Sequence, residues 1–165
     1  MNPGKIFFTF CVLLVGVLNA KSQDRDSILP DFKFYKLEDA SAFTKDNVLP
    51  GKKSIIILFD TSCSHCQNEI ESIGKRYNEL KDLNFYLVSM DTKSSIEGFM
   101  RTYGKELADK KNVTVLQDLN NNFVPSFKPT QFPALYIYSE RRSLLQYFGG
   151  QKKVEDILAV VSPAK

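Results

Sequence analysis

Ile55-Ile56-Ile57-Leu58-Phe59-Asp60-Thr61-Ser62-Cys63-Ser64-His65-Cys66-Gln67-Asn68-Glu69-Ile70 is the stretch that decides the architecture. Its first five residues form a continuous apolar run rich in β-branched side chains, which suits a central strand buried on both faces. From Ser64 to Lys81 the apolar positions are Cys66, Ile70, Ile73, Tyr77 and Leu80. That spacing of four, three, four, three marks one face of an α-helix. Two cysteines therefore stand where a buried strand turns into an amphipathic helix.

Upstream, Pro30-Asp31-Phe32 introduces alternating apolar positions at Phe32, Phe34 and Leu37, read as a short edge strand, and Leu49-Pro50-Gly51-Lys52-Lys53 is a turn. Downstream, Asn84 to Met90 reads as the next buried strand. Ser94 and Glu97 then match the S-x-x-E capping box of a helix start, and Ile96, Phe99, Met100, Tyr103 and Leu107 supply that helix's apolar face. Val113 to Leu116 is a short strand, and Leu119 to Phe132 has no clear period and reads mainly as loop. Ala134 to Tyr138 and Leu144 to Phe148 form a hairpin across Ser139-Glu140-Arg141-Arg142-Ser143, closed by Gly149-Gly150. Val154, Ile157, Leu158 and Val161 mark a final helix. Strands alternating with helices predict a three-layer α/β domain with a central mixed sheet and helices on both faces.

The 165 residues suffice for one domain, and 43% hydrophobic with 25% charged residues is a globular balance. Residues 1–22 read as a signal peptide: Lys5, an uncharged apolar run from Ile6 to Leu18, then Ala20-Lys21-Ser22 as a small-x-small cleavage site. That run is shorter than the roughly 18–20 residues of a spanning helix. An uncleaved segment would instead act as a membrane anchor. Residues 23–29 are assigned as a polar linker and 30–165 as the domain. Cleavage after Ala20 removes Lys5 and takes the formal charge from +3 to about +2, and cleavage after Ser22 removes Lys21 as well and leaves about +1; neither makes an electrostatic case for nucleic acid. Cys11 leaves with the signal segment, so the exported chain keeps only Cys63 and Cys66, in a compartment where disulfides persist.

Two cysteines three apart close too short a loop to staple a domain, so their purpose is chemical. A helix amino terminus offers unpaired N–H groups and positive partial charge that stabilise a thiolate. Cys63 at the cap is thus the nucleophile, and Cys66, one turn in on the apolar face, resolves the mixed disulfide. An inert disulfide is the bland alternative. A zinc site needs about four ligands, whereas the exported chain offers two Cys and one His; no metal and no cofactor is expected. His65, the only histidine, would stabilise the Cys63 thiolate as an imidazolium; the other reading is an exposed helix-start residue. Glu69 falls within about 60° of Cys66 around the helix. A carboxylate there is either a proton acceptor for the resolving thiol or a helix-flank glutamate reaching solvent. Pro133 opens a strand, an ordinary place for proline.

Taken together, Leu29-Pro30-Asp31-Phe32, Leu49-Pro50-Gly51-Lys52, Leu58 to Ile70, Phe132-Pro133-Ala134-Leu135-Tyr136-Ile137 and Gly149 resemble the thioredoxin superfamily, and within it the TlpA-like and redoxin-type extracytoplasmic proteins. The likeness runs from about Pro30 to Val161. It implies a thioredoxin-like fold, a cis bond at Phe132-Pro133 facing the reactive cysteine, a backbone there that pairs with extended substrate, and a Glu69 that tunes the site. The chain departs from the pattern at Ser62, where an aromatic is common, at Glu71, where proline often stands, and at Ile57, the place of thioredoxin's own buried acid.

The leading expectation is a periplasmic or secreted enzyme that exchanges or reduces disulfides of exported cysteine-containing proteins, recharged by a membrane-bound electron donor. One alternative is an oxidase that introduces disulfides, which His65 encourages. A redoxin-type peroxidase would need P-x-x-x-T-x-x-C, but Ile56 and Asp60 stand at the Pro and Thr positions. Copper delivery would want C-x-x-x-C and a distal histidine, and the chain has neither.

Overall fold

The computed structural model describes residues 28–162, so the 1–22 signal segment and most of the 23–29 linker lie outside the described residues. A sheet of seven strands carries the domain: β1 (Lys33–Lys36), β2 (Ala42–Thr44), β3 (Ser54–Leu58), β4 (Asn84–Ser89), β5 (Val113–Gln117), β6 (Ala134–Tyr138) and β7 (Leu144–Gly149). Their order across the sheet is β2-β1-β5-β4-β3-β6-β7. β3 pairs parallel with β4 and antiparallel with β6, so the sheet is mixed. Leu29, at the end of the linker segment, is buried, and its amide donates to the Arg142 carbonyl at 2.9 Å.

Alternation along β3 builds two cores. Ile55, Ile57 and Phe59 face one side, Ile56 and Leu58 the other, because successive side chains in a strand point to opposite faces. Against the first side pack α1 (Ser64–Lys75), α3 (Lys93–Thr102) and α5 (Val154–Val161), through Ile70, Ile73, Ile96, Phe99 and Ile157. The second side is covered by α4 (Phe123–Phe127) and a bank of aromatics: Phe32, Phe34, Phe43, Phe123 and Phe127. Phe123 and Phe127 stack at 4.3 Å between ring centroids, and the Tyr136 hydroxyl donates to the Phe127 carbonyl at 2.9 Å. Helices thus lie on both faces, but unequally, and aromatic side chains supply the area that a longer helix would otherwise bury.

Four elements differ from the sequence reading. β1 is not an edge strand, because β2 pairs outside it. β2 is three residues long with Phe43 as its only buried side chain, too little for alternation to register. α4 occupies the segment assigned to loop. The buried Asp118 carboxylate starts it, accepting from the amides of Asn122 at 3.0 Å and Phe123 at 2.7 Å. The helix expected over Ser64–Lys81 breaks at Arg76 (φ −111°, ψ 21°) and resumes as α2 (Tyr77–Leu80). Gly74 in its last turn is a weak helix former, and Arg76 there turns outward to pair with Glu79 and Glu155.

The capping box at Ser94 is also corrected. Thr92 is the cap of α3, its hydroxyl accepting from the Ser95 amide at 3.3 Å, while Glu97 reaches back to Lys93. Leu107 lies beyond the end of α3 yet remains buried in the first core.

Candidate active site

Cys63 caps α1 in extended geometry (φ −79°, ψ 116°), and its carbonyl accepts the first helical bond from Gln67 at 3.1 Å. The approach to that cap is braced from several sides. Asp60 takes the Ser62 amide and hydroxyl on one carboxylate oxygen, at 2.7 and 2.6 Å, and its carbonyl accepts from the Cys63 amide at 3.2 Å. Asp91, just beyond β4, accepts from the Thr61 amide at 2.8 Å, and Gln67 donates back to the Thr61 carbonyl. The Cys63 position is therefore held by the ends of two central strands.

The two cysteines are unbridged and differ in environment. Cys63 is half-buried, whereas Cys66 is wholly buried in the first core. Burial pushes the Cys66 thiol up to about 12, partly opposed by a hydrogen bond with the Asp60 backbone and reinforced by the neighbouring Cys63 sulfur. Cys66 therefore rests as a neutral thiol at physiological pH.

Glu69, one turn along the same buried face, is also wholly buried rather than reaching solvent from the helix flank. Its Oε2 accepts from the Lys152 amide at 2.7 Å, and Oε1 has no hydrogen-bond partner. Loss of solvent raises its carboxyl to about 7, against the lowering effect of the Lys152 amide and charge. An acid that gains and loses its proton near neutrality suits proton transfer better than an exposed glutamate would.

His65 is exposed, and its Nδ1 lies 3.0 Å from the Gln151 Oε1. The Phe132-Pro133 peptide is cis, and the Pro133 carbonyl accepts from the Gly150 amide at 2.8 Å. Phe132 is 37% exposed, and a cleft lined by His65, Gln131, Phe132, Gly150, Gln151, Lys152 and Lys153 joins it to the helix start. A larger cleft between β5 and α3 shares no residue with this one.

All six site residues read from the sequence thus sit around one helix end and the turn after β7. That turn was the part the sequence reading missed: Gly149-Gly150 registered only as the end of a strand. Gln151 and the Lys152 amide contact His65 and Glu69 across more than eighty residues of chain. No local spacing reports such contacts. Among the described residues no group of three His, Cys, Asp or Glu side chains is placed to hold a metal, and no helix is long and apolar enough to cross a membrane.

A dithiol at the start of a helix that leaves the central strand of this mixed sheet defines the class: thioredoxin-like thiol–disulfide oxidoreductases. The chain belongs to the AhpC/TSA family, whose model matches residues 26–145. No curated protein matches it significantly. Among solved structures, Mycobacterium tuberculosis DsbF, in mixed oxidized and reduced forms, is similar with a TM-score of 0.68 and 21% identity, over 84% of this chain and 98% of that one. A secreted disulfide oxidoreductase of the same organism, homologous to E. coli DsbE, gives 0.64 and 16% over 79% and 94%. Arabidopsis thaliana ScoI with copper bound gives 0.61 and 14% over 80% and 94%. Identities this low establish the shared fold alone.

Proposed function

We propose that the protein exchanges or reduces disulfides of exported proteins in a periplasmic or extracellular compartment, with Cys63 as nucleophile and Cys66 as resolving thiol. The observation that carries this reading is the asymmetry of the pair: Cys63 is accessible at the helix cap, while Cys66 is a buried neutral thiol one turn from a buried carboxylate.

Chemically, the Cys63 thiolate attacks a substrate disulfide, forming a mixed disulfide and releasing one substrate thiolate, which takes up a proton. Cys66 gives its proton to the Glu69 carboxylate and attacks the Cys63 sulfur. That breaks the mixed disulfide, releases the second substrate sulfur as a thiolate, which takes up a proton, and leaves a Cys63–Cys66 disulfide. The substrate gains two electrons and the protein loses two, which a membrane-bound electron donor restores. Phe132 and the Pro133 loop, across the cleft from His65, hold the substrate backbone.

The oxidase alternative runs these steps in reverse and draws its support from His65, whose cation would favour the reduced pair. Against it stands size. Only Thr92 to Asn112 separates β4 from β5, occupied by α3 and a turn, whereas dedicated oxidases of the DsbA type resemble thioredoxin with a sizeable inserted helical domain. Copper delivery draws on the ScoI likeness alone and lacks the donor set. Trapping the cellular state by rapid acid quenching and alkylation tests the direction: a reductant's cysteines are found mostly reduced in growing cells. A pair found almost wholly oxidised would establish the oxidase instead.

A further inference from the structure

The turn after β7 touches three parts of the site: the Pro133 carbonyl, Glu69 and His65. Gly150 adopts φ +76°, a left-handed conformation natural to glycine, and a Cβ there would meet the Gln131 Oε1 at 3.0 Å. Its amide is tied to the Pro133 carbonyl at 2.8 Å, and two residues on the Lys152 amide is tied to Glu69 at 2.7 Å. Gln151 sits between these two anchors, so its backbone is held before its side chain makes any contact. The amide oxygen of that side chain lies 3.0 Å from His65 Nδ1.

An amide oxygen has no hydrogen to give, so the proton in this contact belongs to Nδ1. Two forms of His65 satisfy it: the neutral ring protonated at Nδ1, and the imidazolium. The neutral ring protonated only at Nε2 would set lone pair against lone pair. Gln151 therefore removes one of the three forms open to a free histidine and leaves Nε2 as the ring nitrogen outside this contact.

We propose that Gln151 is a positioning residue that holds His65 with its proton on Nδ1, so that Nε2 serves the substrate sulfur in the cleft. This rests on the exchange reaction proposed above. In that reaction the substrate thiolate released by Cys63 must take a proton. His65 lines the same cleft as Phe132, and the imidazolium gives that proton from Nε2, returning to the neutral Nδ1–H ring. On the return reaction the same nitrogen takes the proton from an incoming thiol. His65 also lies in the first turn of α1, where an imidazolium would favour a thiolate at the cap. Gln151 and Lys152 lie beyond residues 26–145, so this device is outside the segment the family model matches.

His65 is the only histidine of the chain, so a nitrogen-15 spectrum of the imidazole reports a single ring. Gln151 is exposed, and its variants should fold. Gln151→Ala is expected to shift His65 towards the Nε2–H form and to slow exchange between the Cys63–Cys66 pair and glutathione about threefold in both directions. Gln151→Glu keeps an oxygen acceptor and is expected to keep the wild-type tautomer. An unchanged tautomer in Gln151→Ala would overturn the proposal, whether or not the rate changes. So would a tautomer change that leaves the exchange rate untouched. A wild-type pair that fails to equilibrate with glutathione would overturn the exchange function instead, and the ring spectrum would still decide the role of Gln151.

Discussion

Cys63→Ser is expected to reduce insulin no faster than the uncatalysed background, while Cys66→Ser still attacks and accumulates stable mixed disulfides with its substrates. The two thiols differ in access. Cys63 is reachable at the cap of α1, whereas Cys66 is fully enclosed and holds its proton to about pH 12. A serine at 63 leaves no sulfur that a bulky protein disulfide can reach. At 66 it leaves attack intact and removes only the group that breaks the intermediate. Mass spectrometry of the trapped species identifies the linked cysteine. Mixed disulfides formed through Cys66 in the Cys63→Ser protein, with none in the Cys66→Ser protein, would reverse the assignment.

Glu69→Gln is expected to flatten the pH dependence of stability and to stabilise the folded protein above neutrality. The folded carboxyl ionises near pH 7, against about 4.5 for an ordinary glutamate. Between those values the folded chain binds more protons than the unfolded chain, so stability falls as pH rises through the window. Full ionisation in place costs on the order of 3 kcal/mol, at roughly 1.4 kcal/mol per pH unit of displacement. Glutamine carries no such penalty. Urea unfolding of the oxidised wild-type and variant proteins at pH 4.5 and pH 8 should therefore show the variant gaining about 1–3 kcal/mol relative to wild type between the two. The same variant should slow release of mixed disulfides and lose an inflection near pH 7 in that step's rate. Parallel stability profiles would return Glu69 to an ordinary structural place.

The parts of the fold legible in the sequence are those whose signal is local. Five consecutive buried residues in β3, apolar positions at helical spacing on α1 and a pair of cysteines between them need no knowledge of the rest of the chain. Glu69 was legible as a position on that face, but its complete burial was not. Burial depends on the turn after β7 closing over it, and that turn arrives from the far end of the sequence. β2 and α4 escaped because each is too short to show a period; their stability comes from Phe43, Phe123 and Phe127 joining an aromatic cluster assembled by tertiary contact. The start of α3 was misplaced because two overlapping cap signals occur there, and the Thr92 hydroxyl takes the Ser95 amide, two residues before the Glu97 amide that a Ser94 cap would have taken. Gln151 left no trace in the sequence, since nothing about a glutamine after two glycines names a histidine elsewhere as its partner.

Of all measurements, the reduction potential of the Cys63–Cys66 pair in the purified protein bears most directly on the central claim. On the proposed reading, the cap geometry and His65 are expected to raise it above a thioredoxin, near −270 mV, and a reductant is expected to stay below a dedicated oxidase, near −120 mV. A single two-electron transition between those values, with both cysteines joined in one intramolecular disulfide at the oxidised end, is the predicted result. Two cysteines that never join to each other across the accessible range of glutathione poise would contradict the account.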